Sequence, residues 1–191
     1  LITTIEMLII AVWLMLPAYI PSPLAAVFGG GKPIDGGRTM SDGRRILGDG
    51  KTYRGLLAGL FFGMVVGLLQ MYYLSKRTTL FSVELPSFAG NGMSASAIIV
   101  IFALAFGSLF GDMFMSFFKR RLGLKRGAPL PVVDQLDFVF GAWLLTYIAS
   151  PAWFTANFTI PIIIVLLVLT PVLHLGTNII GYFIGVKNEP W

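Results

Sequence analysis

The chain has 191 residues, 56% of them hydrophobic and 12% charged, with a formal net charge of +5. Soluble domains carry about 25% charged residues, so this balance and a mean hydropathy of +0.82 exclude an ordinary soluble domain and argue a polytopic membrane protein. The absence of cysteine excludes disulfides, thiolate metal ligands and cysteine nucleophiles, and the distribution of the positive charge matters more than its sum, which does not argue for nucleic acid.

Five apolar segments are long enough to cross a bilayer, roughly 3–28, 55–75, 94–118, 134–150 and 159–185. Backbone polar groups in lipid must be satisfied within the segment, so each is expected to be a helix. The fold class is therefore all-α, a single integral membrane domain over 1–191, with five transmembrane helices and two cytoplasmic loops forming a polar site. The first segment lacks a basic n-region and a small-residue cleavage site and reads as a retained span. Pro171 lies inside the last segment, where a kink or break is expected. The four tryptophans read mostly as interfacial anchors.

Twelve of the fourteen basic residues fall in the loop 29–54, the loop 119–131 and the tail, where Lys187 lies. Positive-inside asymmetry then puts the N-terminus outside and the C-terminus and both loops in the cytoplasm, which agrees with an odd number of spans. Stretches 32–54 and 112–137 hold 17 of the 23 charged residues. Topology alone accounts for the cations but not for Asp35, Asp42, Asp49, Asp112, Asp134 and Asp137 interleaved with them. Carboxylates that hold Mg²⁺ beside Lys and Arg that hold phosphate oxygens do account for both signs.

The first loop, "GGGKPIDGGRTMSDGRRILGDGKTYRG", is rich in glycine and charge. Its "GDGKT" is not a P-loop, because Arg45 stands where that pattern needs glycine and no strand precedes it. It can still bring backbone N–H groups to an anion, with Asp35, Asp42, Arg44, Asp49 and Lys51 as candidate nucleotide contacts; the alternative is a flexible linker.

In "GDMFMSFFKRR", Asp112, Ser116 and Lys119 follow i, i+4, i+7 and share a helical stripe, with Ser108 a turn further in. A carboxylate within a span costs about 2.5–3.5 kcal/mol and by default marks a functional site; an interfacial position or a simple pair with Lys119 is the alternative. Asp134 and Asp137 are i, i+3 at the start of the fourth span. Helix capping competes for Asp134 and is less able to explain Asp137, one turn deeper. His174 and Asn178 share a face of the last span, where an interhelical hydrogen bond and a site role are both accommodated. A channel or transporter would spread polar residues through several spans, whereas here they cluster at one face.

"GDMFMSFFKRRLGLKRGAPLPVVDQLDF" resembles the signature of the CDP-diacylglycerol synthases, which runs G-D, S-x-x-K-R, a short loop and D-x-x-D. The first loop and the ending "NIIGYFIGVKNEPW" are more similar to the archaeal branch, the CDP-archaeol synthases. Bacterial members place His-Gly-Gly before the acidic pair, where this chain has Leu130, Pro131, Val132 and Val133. The CDP-alcohol phosphotransferases, a rival family, need D-G-x-x-A-R and D-x-x-x-D, and neither occurs in the corresponding stretches. The resemblance implies CTP as nucleotide, Mg²⁺ as cofactor and an isoprenoid ether-lipid phosphate as acceptor. Asp112, Asp134 and Asp137 would then hold metal, Lys119 and Arg120 the triphosphate, and Lys119 and the three aspartates would form the catalytic set.

Overall fold

The computed structural model describes residues 3–89, 94–124, 128, 130 and 132–185. The basic residues Lys125, Arg126 and Lys187 and the ending from 186 onward lie outside the described residues. The elements are α1 (Thr4–Tyr19), α2 (Pro21–Val27), α3 (Tyr53–Lys76), a short antiparallel hairpin of β1 (Thr79–Leu80) and β2 (Val83–Glu84), α4 (Ala95–Arg121), α5 (Val133–Ala149), α6 (Pro151–Asn157) and α7 (Ile160–Phe183).

The ends of the helices follow local chemistry. Thr3 and Glu6 close a capping box on α1, and Thr52 and Ser94 accept from backbone N–H groups to cap α3 and α4. Lys119, Arg120 and Arg121 fill the last turn of α4, where cations complement the helix dipole. The first apolar segment is interrupted at Ile20, because Pro21 and Pro23 start a new short helix rather than continue α1. Conversely, α7 runs without a break through Pro171.

Among the described residues, four helical stretches are long and apolar enough to cross a membrane: Thr4–Val27, Tyr53–Lys76, Ala95–Arg121 and Ile160–Phe183. The segment expected at 134–150 is the 17-residue helix α5, about 25 Å long at 1.5 Å per residue and short of a ~30 Å core. The tryptophan expectation is corrected. Trp13, Trp143 and Trp153 are buried, and the indole N–H groups of Trp13 and Trp153 donate to the carbonyls of Pro86 and Ser87 at 3.1 and 2.7 Å. These rings anchor the segment before α4 to the bundle, and Trp191 lies outside the described residues.

Glycines set the helix spacing. On α3, Gly55, Gly59, Gly63 and Gly67 recur every four residues on one buried face. A Cβ at Gly67 would sit 2.2 Å from a methyl of Ile101 on α4, and one at Gly59 would sit 2.7 Å from the Pro21 carbonyl. The α4–α5 contact is tighter. A Cβ at Gly111 would lie 2.2 Å from the Asp137 carbonyl, and one at Gly141 would lie 2.3 Å from the Gly107 carbonyl. Small residues thus let backbones approach, the usual means of helix association in lipid. Leu14, Met15, Ile101, Leu104, Val139 and Leu166 fill the core between α1, α4, α5 and α7.

Gly111→Val is expected to push α5 off α4 and destabilise the fold by about 1–3 kcal/mol, as overpacking does. Gly176→Ala, where an added Cβ meets nothing within 4 Å, is expected to be neutral or slightly stabilising. Melting temperatures of the two variants in detergent check the contrast.

Candidate active site

The α4–α5 contact carries the acidic residues. Gly111 abuts the backbone of Asp137, so Asp112, its neighbour, and Asp137 open into the same cavity of about 580 Å³, together with Asp134 and Lys51. Asp112 pairs with Lys51 at 2.6 Å and accepts from the Ser22 hydroxyl at 3.4 Å. Lys51 directly precedes Thr52, the cap of α3, so the start of that helix aims the ammonium. Asp134 is bound by Lys119 at 2.7 and 2.9 Å and by the Leu130 N–H at 2.8 Å. Asp137 accepts from the Phe138 N–H at 2.6 Å and lies within electrostatic reach of Asp112, Lys51 and Asp134.

The alternative of a simple Asp112–Lys119 pair does not form: Lys119 pairs with Asp134 on α5, and Asp112 pairs with Lys51 of the first loop. Lys119 borders the cavity only through Asp134. Ser116 is half-buried one turn beyond Asp112 and does not line the cavity. Arg120 lies against the first loop, since a Cβ at Gly48 would be 3.9 Å from its Nε, and that Nε is buried with no hydrogen-bond partner among the described residues.

The first loop is no flexible linker. Asp35 is its hub, with a fully buried side chain. It accepts from the N–H groups of Gly37, Leu47 and Gly48 at 3.1, 3.0 and 2.9 Å and from Arg45 at 2.7 and 3.2 Å. The Arg45 guanidinium and the three N–H groups hold its carboxyl well below the usual carboxylate range, against the effect of burial. Gly48 adopts φ +95°, the left-handed region that favours glycine, and its N–H reaches Asp35 from there. Arg45 also binds Asp49 at 2.7 Å. Asp42 pairs with Arg121 at 2.5 Å, and Arg44 donates to the Arg121 carbonyl while Arg121 donates to the carbonyls of Arg44 and Arg45. Asp35, Asp42, Arg44 and Asp49 are thus engaged in folding the loop and fastening it to the end of α4. Of the loop's charged residues, only Lys51 lines the cavity.

Beyond the charged end the cavity is walled by apolar residues of α1 and α7, among them Leu16, Leu173 and Ile180. Sequence reasoning missed Ser22 and Tyr19, which also line it; the proline pair around Ser22 was the available signal of a helix break. It also missed Arg45 as a structural group, and the four-residue glycine spacing on α3 was legible but unread.

The donor set bears on metal binding. Among the described residues, no three acidic or histidine side chains converge closely enough to hold an ion by themselves. Mg²⁺ commonly takes one or two carboxylates and completes its shell with substrate phosphates and water. Asp112 and Asp137, on one cavity wall, fit that kind of site and not an all-protein cage.

Apolar helices enclosing a cavity charged at one end and apolar beyond define a polytopic membrane protein with an amphipathic cavity. Residues 4–191 match the family described as CarS-like CDP-archaeol synthase, and the chain belongs to that family. The CDP-archaeol synthase of Methanococcoides burtonii is 67% identical over 177 residues, covering 93% of this chain and 100% of the relative. That of Methanosarcina acetivorans is 63% identical over the same shares. A solved structure, described as an intramembrane enzyme for archaeal membrane lipids biosynthesis, superposes with a TM-score of 0.69 at 36% identity, covering 88% of this chain and 92% of that one. The chain is a multi-pass membrane protein.

Asp35→Asn tests the loop assignment. A depressed carboxyl pKa contributes stability that is complete above the unfolded value of about 3.9 and is lost as pH falls through the lower folded value. Hydrogen exchange at the amides of Gly37, Leu47 and Gly48 is therefore expected to stay slow in the parent protein below pH ~4. In the variant, exchange at these amides is expected to lie closer to the free-peptide rate than in the parent at every pH.

Proposed function

We propose that the chain transfers CMP from CTP to 2,3-bis-O-geranylgeranylglycerol 1-phosphate, giving the unsaturated CDP-archaeol and pyrophosphate in ether-phospholipid synthesis. The observation that carries this reading is the cavity, which joins Lys51, Asp112, Asp134 and Asp137 to an apolar wall. That shape accepts a phosphate headgroup with its chains still in the membrane. The name borne by the relatives supports the same reading. In this arrangement α5 is the fourth of five spans, residues 1–191 form one domain, the N-terminus is outside, and the cavity's charged end faces the cytoplasm.

The lipid phosphate is already anionic, so its oxygen attacks the α-phosphorus of CTP without a strong general base. One P–O bond forms, the α–β phosphoanhydride bond breaks, and pyrophosphate leaves with the electron pair. What remains is to hold two anions together in line and to neutralise them. Lys51 reaches the triphosphate by exchanging Asp112 for a phosphate oxygen. Lys119 does the same from Asp134, and Arg120 contributes charge from under the loop. Mg²⁺, held by Asp112 and Asp137 with Asp134 nearby, would supply further neutralisation of the phosphates. The loop 29–52, braced internally by Asp35, holds Lys51 in place.

Purified protein in detergent is expected to release pyrophosphate from CTP only when the lipid phosphate is present. Asp112→Asn, which keeps size and removes charge, is expected to lower turnover at least ~10²-fold, as loss of a preorganised charge does. Near-normal turnover at saturating Mg²⁺ would remove Asp112 from the site. Lys51→Met is expected to weaken CTP binding in titrations while the protein stays folded; an unaltered titration would leave Lys51 as a loop residue only.

A further inference from the structure

The inward face of α7 is a single i, i+4 stripe of Ile162, Leu166, Thr170, His174 and Asn178. Its first two members are apolar and belong to the core. From Thr170 onward the stripe is polar. Thr170 is fully buried and Asn178 is 5% exposed, whereas Val168 and Val172 on the outer face are 68% and 65% exposed. Polar groups inside and apolar groups outside is the pattern of a helix that faces lipid on one side and a polar cavity on the other. Packing alone would be served by continuing the Ile–Leu series.

Each polar member is held in place. Thr170 bonds the Tyr19 hydroxyl at 2.7 Å and ties α7 to α1. The His174 ring stacks on Phe138, the residue after Asp137, at 6.2 Å. Asn178 Nδ2 lies 3.2 Å from His174 Nδ1. His174 and Asn178 both line the cavity. They occupy a different wall from Lys51 and Asp112: α7 packs on α1 and α5, whereas the Lys51–Asp112 pair joins the first loop to α4. Asp137 on α5 lies between the two walls, because α5 packs on both α4 and α7.

The proposed reaction brings two phosphate-bearing molecules to one point. The cation-lined wall suits the more highly charged triphosphate. The α7 wall offers imidazole and amide groups, able to donate to phosphate and glycerol oxygens, among apolar residues that suit chains. We infer that His174 and Asn178 bind the phosphoglycerol end of the acceptor lipid and aim its phosphate at the nucleotide. This inference rests on the function proposed above.

The full-length protein in detergent, with CTP and lipid phosphate varied independently, tests it. His174→Phe keeps the ring stack and removes the nitrogen atoms, His174→Gln keeps a donor, and Asn178→Leu removes the amide at similar size. His174→Phe and Asn178→Leu are expected to raise KM for the lipid phosphate about tenfold or more, the loss of one hydrogen bond to a charged group. The Kd of CTP is expected to stay within about twofold. His174→Gln is expected to recover part of the loss. Inhibition by glycerol 1-phosphate is expected to weaken in the same variants, while inhibition by the phosphate-free lipid alcohol does not, which separates headgroup from chain recognition. An unchanged lipid KM in folded variants, or a CTP Kd that weakens instead, would overturn the inference. Loss of folding in all three variants would assign the pair to packing and overturn it equally. If the parent protein shows no CTP-dependent pyrophosphate release, the proposed function fails before any variant is compared.

Discussion

The site depends on how closely α4 and α5 approach. Gly107 and Gly111 face Gly141 with no room for a single added carbon. In water, helices could be driven together by burying apolar faces. In lipid that drive is absent, so backbone contact and dispersion must do the task. The closeness brings the carboxylates of two helices to one cavity, an arrangement that would otherwise be opposed by their mutual repulsion. Lysines from elsewhere in the chain answer that repulsion, Lys51 beside Asp112 and Lys119 beside Asp134. Asp112 and Asp134 are each matched to a lysine ammonium, while Asp137 accepts from the Phe138 N–H.

The first loop shows a second use of charge. Asp35, Arg45 and Asp49 pair within it, and Asp42 and Lys51 pair with Arg121 and Asp112 of α4. Asp35 takes three backbone donors and a guanidinium, and the Arg44–Arg121 exchange of carbonyl bonds fixes the loop to α4. A glycine-rich segment at a membrane surface has little apolar area with which to fold. Buried charge and hydrogen bonds replace a core there, and the result places Lys51 at the head of α3.

Much of the fold was legible in the chain. Segments 55–75 and 94–118 correspond to α3 and α4 within a few residues, because a long apolar run in lipid has only a helix open to it. The interruption of the first segment at Pro21 and the extra helix α6 were not read, although proline marks the start of both. The tryptophans were misread because their abundance at membrane interfaces does not reveal whether a given indole faces headgroups or a loop carbonyl.

Residue type and spacing alone determined that the chain is a membrane protein, that its charge gathers at one face, and that Asp112, Asp134 and Asp137 belong to that face. Those features are local: hydropathy over a window, a stripe at helical period, a pair at i, i+3. The tertiary structure decided who partners whom. Lys119 lies on the same helix as Asp112 yet binds Asp134, and Asp112 is bound from 61 positions away by Lys51. It also decided that Asp35, Asp42, Arg44 and Asp49 build the loop, while His174 and Asn178 reach the cavity. Ion pairs are chosen by distances between elements, and those distances follow from helix packing that no single segment encodes.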